Sequence, residues 1–148
     1  MLSVFLLSPF AFRIFSVEGN DMPQSVVFIT DGSMSIDKLK SKFEPYFEQC
    51  FSSESRVVLT SGGSYVAINA DDDIIEHYEQ AELEEIALKN PRFYLIEFND
   101  FIFLKKILPL VVDDSRIWVD NDHGDILQGS QFVNRVKQHP TWDWRTVE

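Results

Sequence analysis

Between Arg56 and Lys89 the chain carries eight carboxylates and no lysine or arginine. They are Asp71, Asp72, Asp73, Glu76, Glu79, Glu82, Glu84 and Glu85. Charged side chains are almost never fully buried without a partner, so any fold of this chain must hold that stretch at its surface. A second acid group stands at Asp113, Asp114, Asp120, Asp122 and Asp125. Across the chain, 13 Lys and Arg face 24 Asp and Glu, a net charge of −11. A field of this sign repels nucleic acid and anionic membranes and attracts basic partners. Nucleic-acid binding would also need a basic face, and the lysines supply none. Lys38, Lys40 and Lys42 alternate around a helix, and Lys105-Lys106 is an isolated pair.

Length and apolar content point to a packed domain. A chain of 148 residues fits one hydrophobic core. Thirteen Phe, four Tyr and three Trp supply an interior large enough to exclude disorder. Residues 22–148 are therefore read as a single globular α/β domain. Residues 1–21 form an apolar extension ahead of it. Pro9 and Arg13 interrupt that run, which is too short for a bilayer-spanning helix and has no basic residue before it. It reads as uncleaved, either a packed edge element or a segment preceding a natural start at Met22. Cys50 is the only cysteine, which rules out an internal disulfide and agrees with a cytoplasmic setting. Beside Phe51 in a helix-like run, it reads as a small core hydrophobe.

The pattern along the chain alternates strand and helix signals. Val26 to Thr30 is a β-branched run ending at Asp31-Gly32. Ile36, Leu39, Phe43, Tyr46, Phe47 and Phe51 follow at helical spacing after Ser33 or Ser35, with Pro45 inside the run. Two strand-like runs, Arg56 to Thr60 and Tyr65 to Asn69, flank Gly62-Gly63 as a tight hairpin would. Asp71 opens a helical run to Leu88, interrupted near Ala81 and divisible into two short helices. Arg92 to Phe98 is a strand with Phe93, Leu95 and Glu97 on one face and Tyr94, Ile96 and Phe98 on the other. Asn99 or Asp100 caps a helix reaching past Pro109. Arg116 to Val119 is a strand, and Phe132, Val133 and Val136 mark a helix stopped at His139-Pro140. The order predicts an α+β fold (α/β two-layer), a mixed central sheet of about five strands with three to four helices packed on it.

Catalytic motifs fail on their parts. Read as a calcium loop, Asp120 and Asp122 fit positions one and three, but Gly124 stands at position five and Gln131 at twelve. Read as an aspartyl-phosphate motif, Asp120 would be the nucleophile and Asp122 the acid/base, but that chemistry also needs a downstream lysine and further carboxylates on later strands, and only 26 residues follow Asp122. A turn in which Asp side chains bond the backbone and Gly124 takes positive φ explains the same residues. His77, His123 and His139 form no zinc spacing, though Asp73 and His77 are four apart. No enzymatic activity, metal or cofactor is expected; a metal-dependent hydrolase using Asp120 and Asp122 is the alternative. A third reading is an adaptor subunit assembled through the apolar extension.

The segment from Arg92 to Trp144, with its strand, helix and Ile117-Trp118-Val119-Asp120-Asn121-Asp122-His123-Gly124 turn, resembles small bacterial immunity proteins. These are the antidotes of contact-dependent growth inhibition and related polymorphic toxin systems. The resemblance implies cytoplasmic residence and binding to a cognate basic toxin, often a nuclease. A carboxylate array suits that role physically, because it can occupy a site built to hold phosphates. The expected partner contacts are Asp71, Asp72, Asp73, Glu76 and Glu79, then Asp120, Asp122 and Asp125, with Trp142 or Trp144 as apolar anchors. The plainer reading of these acids is a solvated helix face.

Overall fold

A computed structural model of the chain describes residues 24–146; the expected extension over 1–21 and the start at Met22 lie outside them. Seven strands form one sheet in the order β2-β3-β4-β5-β1-β6-β7. They are β1 (Gln24–Thr30), β2 (Gln49–Ser52), β3 (Arg56–Ser61), β4 (Ser64–Ala70), β5 (Arg92–Phe98), β6 (Ile117–Asp120) and β7 (Ile126–Gln128). Four α-helices accompany them: α1 (Ile36–Phe43), α2 (Gln80–Ile86), α3 (Phe101–Val111) and α4 (Gly129–Gln138).

The α+β class holds, but the expected mixed sheet of about five strands does not. Every neighbouring pair is antiparallel. The helical crossover that suggests parallel pairing does occur, as α3 between β5 and β6. Both of those strands pair antiparallel with β1, which lies between them. β5 and β6 therefore run in the same direction without touching.

The two additional strands were hidden by composition. Ser35 caps α1, its hydroxyl accepting from Lys38 N at 3.2 Å. The helical spacing that continues to Phe51 is not used. Pro45 cannot donate to the ladder, and Glu44–Tyr46 forms one 3-10 turn before Phe47 becomes extended. β2 then pairs with β3, placing Cys50 on a strand rather than a helix, partly buried against the main core. β7 is three partly buried residues with no apolar alternation to announce it.

Strand alternation sends side chains to two faces. On one, Val26, Phe28, Leu59, Ile68, Ile96 and Val119 meet α1, α3 and α4 in the larger core. Trp142 and Trp144 belong to that core, packed on Phe132, with Trp144 also on Phe101 at 4.6 Å between ring centroids. Lys105 Nζ holds this tail by donating to the Pro140 and Trp142 carbonyls at 2.6 and 2.7 Å. The other face carries Val27, Ile29 and Phe93. A 3-10 segment, Asp72–His77, and α2 cover it through Ile74, Tyr78, Leu83 and Ile86. Helical elements thus lie on both sides of the sheet, against the two-layer expectation.

The hairpin and helix boundaries follow local chemistry. Ser61 pairs with Ser64, leaving Gly62-Gly63 as the loop, with Gly62 at φ 60°. Asp100 caps α3 by accepting from Phe103 N at 3.0 Å. Gly129 starts α4 against the end of α3, where a Cβ would stand 1.8 Å from the Val112 carbonyl oxygen. No helix among the described residues is long and apolar enough to cross a membrane.

Candidate partner-docking face

The long acid stretch forms the outer layer over the second face of the sheet, and several of its carboxylates fix that layer in place. Asp71 accepts from Asp73 N at 3.2 Å and so caps the 3-10 segment. Asp72 receives Arg92 Nε at 3.2 Å on both oxygens and Phe93 N at 3.3 Å, pinning the segment to β5. The Glu79 N–H donates to Glu82 Oε1 at 2.8 Å, which closes a capping arrangement at the start of α2. The division into two helical pieces is therefore real, but it falls at Tyr78-Glu79, with Ala81 inside α2. Asp73, Glu76, Glu84 and Glu85 stand exposed on the same layer.

The Asp120 turn is built as backbone chemistry predicts. Asp120 Oδ1 accepts from Asp122 N at 2.7 Å. Asn121 is buried and its Oδ1 accepts from His123 N and Asp125 N, both at 3.0 Å. Gly124 takes φ 103° and Asp122 φ 63°, the left-handed region that Gly and Asp tolerate best. The other Asp120 oxygen, Oδ2, accepts from the Tyr78 hydroxyl. Burial, and then the Asp120 carboxylate, hold the Tyr78 phenol well above the usual tyrosine range, so it stays a donor.

The Tyr78 contact ties the helical layer that carries the long acid stretch to the Asp120 turn. The layer carries Asp71, Asp72, Asp73, Glu76 and Glu79, and the turn carries Asp120 and Asp122. Asp125 turns away: it pairs with Arg135 of α4 at 3.1 Å. Trp142 and Trp144 are 4% and 0% exposed beneath α3 and α4 on the opposite face of the sheet, so they are core and not exposed anchors. Their placement beside acids in sequence reflects a capping tail, in which Asp143 binds Arg145 at 2.7 Å.

Three residues escaped the sequence reading of this face. Tyr78 sits at helical spacing and reads as ordinary core. Trp118 shares the face of Ile29 and Phe93, and its neighbours Ile117 and Val119 point the other way. Glu85 is one acid among many until the fold sets it beside Trp118. Together Glu82, Glu85, Ile86, Trp118, Gly124 and Ile126 line a cleft of about 220 Å³ between α2 and the β6–β7 hairpin.

Asp120 serves the turn and the interlayer contact, which gives its carboxylate a structural job where the hydrolase reading asks for a reactive one. Among the described residues no three His, Cys, Asp or Glu side chains are placed to hold a metal ion. The same face continues over β2, β3 and β4 without a described covering element. There Asn69 Nδ2 donates to Glu97 Oε1 at 3.1 Å, Arg56 reaches the same oxygen at 3.4 Å, and Phe51 is 61% exposed.

No family model matches the chain. Neither a curated protein nor a solved structure matches it significantly.

Proposed function

We propose that this chain is an acidic immunity-type protein that binds and neutralises a cognate basic toxin of nuclease type, in the cytoplasm, by carboxylate docking. One observation supports the reading best. The contact between Tyr78 and Asp120 ties the acidic layer of the 3-10 segment and α2 to the acidic turn after β6. In sequence the long stretch is bounded by Arg56 and Lys89, and Arg92, just beyond it, is held by Asp72. A nuclease must present cations to hold phosphates, and a carboxylate-rich surface complements such a site. Pairing of this kind accelerates encounter at low salt and adds coupling energy at close charge pairs.

The acids divide by duty within this reading. Asp71, Asp72, Glu79 and Glu82 build the layer, so replacing them tests folding and docking together. Asp73 and Glu76 are exposed and carry none of those structural bonds, which makes them the cleaner probes. The experiment is capture of partners at low salt with salt-gradient elution, followed by growth rescue on co-expression with the captured protein. A basic, toxic partner that the chain neutralises, and that Asp73→Lys/Glu76→Lys releases at lower salt, supports the proposal. A partner whose retention ignores those reversals, or whose toxicity the chain does not relieve, sinks it.

A further inference from the structure

We infer that the cleft between α2 and the β6–β7 hairpin receives an arginine side chain from the basic partner; the inference rests on the docking reading above. Its lining joins the apolar Ile86, Trp118 and Ile126 to the acidic Glu82 and Glu85. These glutamates are three residues apart, a spacing that sets them on one face of α2. At about 220 Å³ the space falls below the pockets that enclose drug-sized molecules, roughly 300–1,000 Å³, and suits one long side chain. Gly124 stands at the wall, and a Cβ there would meet nothing within 4 Å, so a visiting chain can approach the backbone closely.

The chemistry of the lining selects the visitor. Among the described residues no lysine or arginine lines the cleft, and two glutamates beside apolar side chains favour a cation with an aliphatic stem. A partly exposed indole in the lining favours the planar guanidinium, which stacks on aromatic faces and forks onto carboxylates, over the compact ammonium of lysine. The chain itself uses this pairing elsewhere. Arg135 lies 4.9 Å from the Trp142 ring centroid while bonded to Asp125, and Arg145 lies 3.9 Å from that of Phe101 while bonded to Asp143. Among the described residues, the cleft presents the aromatic and the acids of such an arrangement without an arginine. An arginine anchored centrally in an acidic surface is also a frequent centre of binding energy.

The test uses the full chain and two blocked peptides, Lys-Gly-Arg-Gly-Lys and the same peptide with citrulline in place of arginine. Citrulline keeps the shape and loses the charge. Binding is read at low salt from backbone amides and from the Trp118 indole N–H resonance, identified by its loss in Trp118→Phe. The expected result is movement of the Trp118 resonance with the arginine peptide and roughly tenfold weaker binding with citrulline, the ratio 1.4 kcal/mol produces. Glu82→Gln/Glu85→Gln should weaken the arginine peptide similarly, because glutamine can still accept from the Glu79 N–H and keep the helix start. A charge-matched control on the opposite side of the sheet, Asp37→Asn/Glu44→Gln, should leave the Trp118 response in place. Shifts confined to the amides around Asp73 and Glu76, with Trp118 unmoved, would overturn the arginine cleft and leave carboxylate docking standing. No shift with either peptide would overturn the cleft and count against the acid surface as well.

Discussion

The hydroxyl of Tyr78 donates a hydrogen bond to the Asp120 carboxylate across 42 residues of sequence. This contact links the helical layer over β5, β1 and β6 to the turn after β6. Tyr78 also packs on Phe93, with ring centroids 5.5 Å apart. The ring therefore belongs to the smaller core while its hydroxyl holds two acid segments together.

Removing only that hydroxyl separates the two roles. Tyr78→Phe keeps the ring packing and takes one donor from a partly exposed carboxylate. The expected loss is about 1 kcal/mol, read as a lower denaturant midpoint at unchanged slope. The pH dependence carries a second signature. Burial and the adjacent carboxylate raise the phenol's folded pKa above its unfolded value near 10. Its stabilising contribution is complete below that pH and is lost as the pH rises toward the folded value. Tyr78→Phe should therefore flatten the alkaline decline in stability. Tyr65 and Tyr94, also raised by burial, should preserve the remainder.

Asp114 governs the acid side. Its carboxylate accepts Arg116 Nε at 3.0 Å and Nη2 at 2.8 Å, and Lys42 Nζ lies 3.0 Å away. The Arg116 hydrogen bonds, with help from Lys42, hold its pKa far below the carboxylate range. A depressed folded pKa stabilises above the unfolded value, near 3.9, and that stabilisation disappears as the pH falls below it. Asp114→Asn should cost about 1 kcal/mol at neutral pH, since both cations are partly exposed and screened. It should also reduce the stability lost between about pH 5 and pH 2. Equal acid slopes for variant and wild type would refute the assignment.

Gly129 tests the junction between α3 and α4. An added Cβ meets the Val112 carbonyl oxygen at 1.8 Å and the Asp114 carbonyl oxygen at 3.1 Å, and backbone atoms cannot rotate away as a side chain can. Gly129→Ala should destabilise by about 3 kcal/mol, at the upper end of overpacking costs, despite alanine's better helix propensity. An exposed control, Ser130→Ala, should stay within about 0.5 kcal/mol. Thermal melts of the two variants make the comparison.

How far the sequence could be read depended on whether a signal was local. Alternation in Arg92 to Phe98 separates the two faces of β5 correctly, and the glycine pair marks its hairpin. Asp100 caps its helix, and Asp120, Asn121 and Gly124 build the expected turn. Pairing is not local. Nothing in Val26 to Thr30 says that β1 will separate β5 from β6, and that insertion makes the whole sheet antiparallel. Helical spacing continues past Pro45 into residues that become β2, because a four-residue edge strand exposing Phe51 has no apolar period of its own. The candidate face was legible as charge but not as shape. The acids are counted easily, whereas the Tyr78 contact and the Trp118 cleft depend on elements brought together from distant positions. Trp142 and Trp144 show the reverse error, since an acidic neighbourhood in sequence did not prevent complete packing.

The exposed acids provide the sharpest contrast between stability and binding. Asp73 and Glu76 lie on the outer side of the 3-10 segment, in a chain whose net charge of −11 works against compactness. Asp73→Lys/Glu76→Lys changes the net charge by four units toward neutrality, each reversal counting about two. Folding stability should therefore stay within about 0.5 kcal/mol of wild type, with any change favourable at low salt and vanishing as salt screens the repulsion. Association with a basic partner should weaken mainly through a slower on-rate and a shallower salt dependence, because exposed charges steer encounter more than they hold the complex. Stopped-flow association at two ionic strengths, set beside denaturant unfolding, separates these effects. An unchanged on-rate would show that the acid face is a solvated helix surface and that the partner docks elsewhere.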